Sequence, residues 1–362
     1  MTRIAILTPT ISVGDAVGND VFGMREALER RGHEVRIYAE RWTFEEPKVW
    51  PASKIDRFLK SPDDLSIHHY SGGWDVGLDL LRDLPCKKVV KYHNVTPPEF
   101  FEGISESHVH MCRAGRRQLK DIANSACDLF LADSAYNLQE LLDEGVEQTR
   151  AVIVPPFHHT DRFYDLAPDF KVLDTYRDGR TNILMVGRIS PNKGHVALAE
   201  AFANYRHYHN TRSRLLIVGK EEPSLGVYSA MLRKVIAVLR LQGAVVFTGE
   251  VSESALKSYY LLAHVFATMS EHEGFCVPLV EAMAMKVPIV AYASSAIPET
   301  VGDAGLVWRE RDPLLFAESF DALVGNEAAS VALARKGRHR YERIFPNGRI
   351  ETEFMKAVSE LL

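Results

Sequence analysis

The sequence is short of the features that would staple a chain or anchor it. Cysteine is scarce: four residues in 362 (Cys86, Cys112, Cys127, Cys276), none in CxxC spacing, which argues against a zinc ribbon or a disulfide framework and fits a reducing compartment. No stretch approaches the roughly 20 apolar residues of a membrane span. The opening MTRIAILTPT runs straight into an apolar, β-like segment without a signal-type h-region, so the expectation is a cytoplasmic protein, neither exported nor integral to a membrane. Charge of one sign is also lacking. Lys and Arg number 43 against 48 Asp and Glu, a formal net charge of -5, which gives no global attraction to nucleic acid, and none is expected as a partner.

What is present is an ordinary globular composition, 46% hydrophobic and 25% charged, on a chain too long for one comfortable core. Short β-branched runs alternate with amphipathic helical patterns, the signature of βαβ units and parallel sheets, hence an α/β protein. One set of strands is read at 3–8, 34–39, 65–70, 87–92, 128–132 and 151–155. A second is read at 182–187, 214–219, 244–249, 264–269 and 287–292. The polar, turn-rich stretch near 158–180, punctuated by Pro168 and Gly179, reads as a linker. Two doubly wound, Rossmann-like domains are therefore expected, 1–165 and 175–340. A terminal helix within 346–362, with Ile350, Phe354, Val358 and Leu361 on one stripe, is expected to pack back on the first. Open α/β sheets take ligands at the carboxyl ends of their strands, which is where function is sought.

Two motifs of the second half lie at such ends. EHEGFCVPLVE places Glu273 in the loop after a strand, Pro278 at the first helical position and Glu281 in the first turn. The backbone N–H groups of Gly274, Phe275 and Cys276 at that helix start favour an anion such as a phosphate. Carboxylates beside an anion are better employed accepting hydrogen bonds from neutral hydroxyls, as in a sugar nucleotide. Taken alone, the same residues also fit a helix-capping Glu281 and a solvated Glu273. NILMVGRISPNKG sets Arg188 and Lys193 on the loop after another strand, where two cations could clamp a diphosphate, or simply face solvent.

GRISPNKGH together with the stretch FTGEVSESALKSYYLLAHVFATMSEHEGFCVPLVEAMAMKVPIVAYASSAIPETVGDAGLVW closely resembles the donor domain of family 4 glycosyltransferases, over roughly residues 181–310. These are retaining enzymes of the GT-B fold. The resemblance implies that Glu273 and Glu281 are the family's EX7E pair, with Glu273 on the transferred sugar and Glu281 on the ribose hydroxyls. It also implies that Arg188 and Lys193 hold the pyrophosphate, that the Gly249–Glu250–Val251 turn lies by the nucleobase through backbone atoms, and that no metal is needed. Lys286 stands where a glycine is common in that family.

In the first half, TPTISVGDAVGND carries Gly14 and Gly18 in GxxxG rather than GxGxxG spacing. With Glu40 at the end of the next strand, an NAD-binding domain is the alternative. The resemblance instead sets this loop beside the donor phosphates, Gly18 nearest. KKVVKYH delivers His93 to a strand end; a lone histidine is commonly a packing residue, but the family has one at a similar place, which implies contact with the donor sugar near the reacting carbon. The run His108, His110, Arg113, Arg116, Arg117, Lys120 reads as a solvated helix face that could also meet anionic lipid headgroups at the inner face of the membrane. His68–His69 and His158–His159 are neighbours that cannot easily share a metal. The expected function is transfer of a mannose- or glucose-type hexose from a nucleoside diphosphate, GDP or UDP, to a saccharide or lipid-linked saccharide acceptor. The alternatives are a sugar-nucleotide epimerase or phosphorylase, or a non-catalytic sugar-nucleotide-binding subunit.

Overall fold

The computed structural model describes residues 1–12 and 14–362; Val13, within the glycine-bearing loop, lies outside them. The chain divides into two compact units: Met1–Pro98 with His108–His159 and Pro346–Leu362, and Glu99–Ser107 with Thr160–Phe345.

The first unit holds a wholly parallel sheet of β1 (Arg3–Ile11), β2 (Glu34–Trp42), β3 (Val49–Pro51), β4 (Leu65–Tyr70), β5 (Lys87–Tyr92), β6 (Leu129–Ala132) and β7 (Ala151–Ile153), in the order β3-β2-β1-β4-β5-β6-β7. Its strands read as near-continuous apolar runs because helices cover both faces of such a sheet. The helix Asn347–Val358 belongs to this unit. Its Ile350, Phe354 and Val358, spaced by four, are fully buried, and Phe354 meets Phe157 edge-on at 6.1 Å. Each such burial contributes roughly 1.5–3 kcal/mol. Glu351 beside them bridges Arg30 and Arg31, which directly follow the helix Ala16–Glu29.

The second unit repeats the plan with β8 (Thr181–Val186), β9 (Ser213–Val218), β10 (Val245–Gly249), β11 (Val265–Thr268), β12 (Ile289–Tyr292) and β13 (Gly305–Trp308), in the order β10-β9-β8-β11-β12-β13. All its pairings are parallel. Both orders place the unit's first strand beside its fourth, the winding reversal at which doubly wound sheets bind ligands.

Two short edge strands, β3 and β13, go unread in the sequence because β3 ends on Pro51 and β13 opens on Gly305, residues that argue against a strand. The segment read as a linker also differs. From Thr160 onward it is part of the second unit: Phe163 is buried in its core, and a helix, Phe170–Tyr176, is capped by Asp169, whose own N–H donates to Ser258 Oγ at 2.8 Å. Its polar residues are one face of a packed segment. Among the described residues no helix is long and apolar enough to cross a membrane.

Candidate functional site

In the second unit β8 and β11 are neighbours, so the loops that leave their carboxyl ends, 187–194 and 269–276, start side by side. Polar bonds lash the two together. Glu271 N–H donates to the Asn192 carbonyl at 2.8 Å, and the Asn192 side-chain amide returns a bond to the His272 carbonyl at 3.1 Å. Gly194, at φ +68°, lies so close that a Cβ would stand 2.0 Å from the Met269 carbonyl oxygen. Only glycine allows that approach.

This lashing brings Lys193 and Glu273 into contact: Nζ lies 2.7 Å from Oε1 and 2.8 Å from Oε2, with the carboxylate mostly buried. Glu273 N–H donates to Ser295 Oγ at 2.7 Å, while Ser294 Oγ donates to the Ser270 carbonyl at 2.5 Å. The loop is thus fixed from both sides. Arg188 does not join Lys193. Its guanidinium is largely exposed and bonded to Glu222 Oε1 at 2.7 Å.

Cys276 caps the following helix in a left-handed conformation (φ +72°), so the helix begins at Val277. Pro278 is therefore its second residue and Glu281 lies in its second turn, one step later than the sequence reading placed them. The side chains of Phe275 and Cys276 are core residues, Phe275 edge-on to Phe345 at 5.7 Å. Burial pushes the Cys276 thiol well up, leaving it a packing group. What the stretch Gly274 to Cys276 offers a ligand is backbone. Glu281 is buried, accepts from Tyr260 OH at 2.7 Å, and has its carboxyl pushed up to about 7 by desolvation. Tyr260, absent from the sequence reading, is the residue that keeps this carboxylate hydrogen-bonded. Beyond β9 and β10, Gly249 (φ +70°) turns the chain so that Glu250 is exposed, 3.9 Å from Lys220, and Val251 packs on the core.

In the first unit Gly18 falls in the first turn of the helix Ala16–Glu29. Its N–H donates to Asp15 Oδ1 at 2.6 Å, and a Cβ there would stand 2.1 Å from the Ser12 carbonyl oxygen. The glycine is required by its own loop. Glu40 accepts from Trp74 Nε1 on Oε2 at 2.6 Å, which ties up one oxygen of the carboxylate that an NAD ribose would need.

His93, just past β5, sits in a buried cluster that sequence spacing did not reveal. Its Nδ1 lies 2.9 Å from Asp133 Oδ2 and its Nε2 lies 2.8 Å from His69 Nδ1, the two rings stacked at 5.0 Å. Lys91 Nζ lies 2.7 Å from Asp133 Oδ1 and also donates to the Val154 carbonyl. Asp20, from the helix Ala16–Glu29, accepts the Phe157 N–H on Oδ1 at 2.8 Å, whereas its Oδ2 has no hydrogen-bond partner among the described residues. Desolvation raises the Asp20 carboxyl and drives His69 well below the usual imidazole range. Burial would raise Asp133 too, but His93 and Lys91 outweigh it and hold that carboxyl low. Asp20, His69 and His93 present ligating atoms within 4.8 Å of one another. That is a cation's geometry, yet the Lys91 ammonium, 3.9 Å from Asp20 Oδ2, already supplies positive charge there. The sequence signal for Asp133 was its place at the end of β6, directly before the N-cap Ser134.

Two parallel, doubly wound sheets on one chain are the elements of the GT-B fold, and solved proteins share that fold over the whole chain. An Anabaena protein, HepE, solved in complex with UDP and glucose, superposes with a TM-score of 0.79 at 15% identity, covering 99% of this chain and 100% of that one. Residues 174–340, which lie within the second unit and include all of its strands, match the family described as glycosyl transferases group 1. A GDP-mannose-dependent alpha-(1-6)-phosphatidylinositol monomannoside mannosyltransferase of Mycobacterium tuberculosis is 30% identical over 196 residues, 51% of this chain and 49% of the relative. This chain thus matches about half the length of that relative. A D-inositol 3-phosphate glycosyltransferase of Kineococcus radiotolerans is 24% identical over 93% of this chain and 91% of its own.

Proposed function

We propose that this chain is a retaining family 4 glycosyltransferase, moving a mannose- or glucose-type hexose from a nucleoside diphosphate to a hydroxyl of a saccharide or glycolipid acceptor. The observation that carries the reading is the Lys193–Glu273 pair at the β8/β11 reversal, a cation and a carboxylate side by side within the region that matches group 1 glycosyltransferases. In the reaction, Lys193 and Arg188 take the diphosphate and stabilise the charge that develops as it leaves. Backbone N–H groups at 274–276 add to that field. Glu273, released from Lys193, accepts from hydroxyls of the sugar, and Glu281, held by Tyr260, accepts from the ribose. The turn at Gly249 to Val251 offers backbone to the base. From the first unit, His93 is the candidate for contact with the sugar and Gly18 for contact with the phosphates. The leaving diphosphate takes the proton of the attacking hydroxyl on the same face, and no metal is assigned to the step.

The test is a panel of UDP- and GDP-hexoses offered to the full chain, with melting shift and release of nucleoside diphosphate as readouts. One donor is expected to raise the melting temperature and turn over. Conversion of the free sugar nucleotide to its epimer without any acceptor would refute transfer. So would stabilisation by NAD with none from UDP or GDP.

A further inference from the structure

We propose that Asp133 and His69 are positioning residues of His93: Asp133 fixes the imidazole proton on Nδ1, and His69 occupies Nε2 until a substrate hydroxyl takes that place. The inference rests on the reading of His93 as a group facing the sugar.

Hydrogen counting carries the first half. Asp133 is held ionised and pinned: its Oδ1 is 2.7 Å from the Lys91 ammonium and its Oδ2 is 2.9 Å from His93 Nδ1. A carboxylate can only accept, so Nδ1 carries the hydrogen. To accept from a hydroxyl the ring has to be neutral; its Nε2 is then bare, and the hydrogen in the 2.8 Å contact comes from His69 Nδ1. His69 stays neutral in its buried position, because desolvation drives its imidazole well below the usual range.

The second half follows from an acceptor that faces His69 Nδ1 without a hydrogen bond of its own among the described residues, Asp20 Oδ2. Both His93 nitrogens are taken in this structure, so a substrate can reach the ring only by exchange. When a sugar hydroxyl donates to His93 Nε2, the His69 Nδ1 hydrogen loses its acceptor. Asp20 Oδ2 lies 3.8 Å from that same nitrogen and has no hydrogen bond of its own among the described residues. A small ring movement passes the hydrogen bond to Asp20. The His69 Nδ1 hydrogen keeps an acceptor before and after the exchange, so no donor is stranded by it. No covalent bond forms or breaks.

The experiment is nitrogen-detected NMR of histidine tautomers on the full chain, paired with donor turnover using UDP-glucose and GDP-mannose. The wild type is expected to show His93 with a protonated Nδ1 and a bare Nε2. In Asp133→Asn the amide oxygen stays with Lys91 and its NH2 faces His93, which forces the other tautomer. kcat is then expected to fall by about 10²-fold or more while the donor KM changes little. Asp20→Asn is expected to lower kcat about tenfold with the resting His93 tautomer unchanged. A wild-type His93 protonated on Nε2 with Nδ1 bare overturns the proposal, as does stoichiometric zinc bound by Asp20, His69 and His93, or an Asp133→Asn enzyme with normal kcat. If the wild type turns over neither donor, the glycosyltransferase reading fails for those substrates, whereas the tautomer spectrum still decides this one.

Discussion

The Lys193 ammonium contacts both carboxylate oxygens of Glu273, at 2.7 and 2.8 Å, so the two groups assigned to the donor hold each other. Each neutralises the other in a place where an unpaired charge would be costly. On the proposed function a diphosphate would have to compete with Glu273 for Lys193, and the sugar hydroxyls would replace Lys193 on Glu273.

That exchange gives opposite expectations for two ligands. Glu273→Gln frees Lys193 and removes a negative charge, so bare UDP or GDP should bind about 5- to 30-fold tighter, on the order of 1–2 kcal/mol. Sugar transfer should drop by about 10²-fold or more, because the hydroxyl acceptor is lost. Titration calorimetry with the bare nucleotide decides the matter; unchanged or weaker binding in the variant would remove the competition from the account.

Arg188 offers a cleaner separation of binding from stability. Its side chain is 62% exposed and, among the described residues, pairs with Glu222, an interaction worth about 0–1 kcal/mol. Arg188→Ala should leave the denaturation midpoint nearly unmoved. It should weaken nucleotide affinity about tenfold, roughly 1.4 kcal/mol, with a shallower dependence on salt than the wild type. A large loss of stability with normal nucleotide affinity would make Arg188 a structural residue.

Glu281 sets a pH dependence whose sign is unusual for a carboxylate. Its folded pKa is raised from 4.5 to about 7, chiefly by desolvation, so the native state binds more protons than the unfolded chain between those values. Stability should fall as pH rises through that window and level off above it, a cost of about 3 kcal/mol at most. Glu281→Gln lacks the titration. The melting temperature of the variant minus that of the wild type should grow from pH 4.5 to pH 7 and then stay constant. A flat difference would show that the carboxylate is solvated. Tyr260→Phe, which removes the 2.7 Å donor, should shift the wild-type transition to higher pH.

The fold was legible because its strands are long apolar runs spaced by helical patterns; β4 at Leu65–Tyr70 and β5 at Lys87–Tyr92 fall where the sequence reading places them. The second-unit residues were legible because they sit in a contiguous motif, Gly187 to Gly194 and Glu271 to Glu281. The first-unit cluster was not, since Asp20, His69, Lys91, His93 and Asp133 come from one helix and the ends of three strands, and only β-sheet order brings them together. One helix start slipped by a residue: a left-handed Cys276, unusual for that residue type, serves as the cap, so the helix begins at Val277, one residue before the reading placed it.

Lys286 shows how a departure from a family pattern translates into free energy. The helix Val277–Ala284 ends in a Schellman arrangement: Lys286 N–H donates to the Met283 carbonyl at 3.2 Å and Val287 N–H to the Ala282 carbonyl at 2.9 Å. That geometry requires positive φ at Lys286, and the value is +58°. For a residue with a Cβ the left-handed region costs roughly 1–2 kcal/mol, offset in part by glycine's greater freedom in the unfolded chain. Lys286→Gly should therefore stabilise the protein by about 1 kcal/mol, read as a higher urea midpoint at unchanged m-value. Lys286→Ala, which keeps the Cβ, should give none of that gain. Equal stabilisation by both substitutions would trace the effect to the lysine charge and not to the backbone.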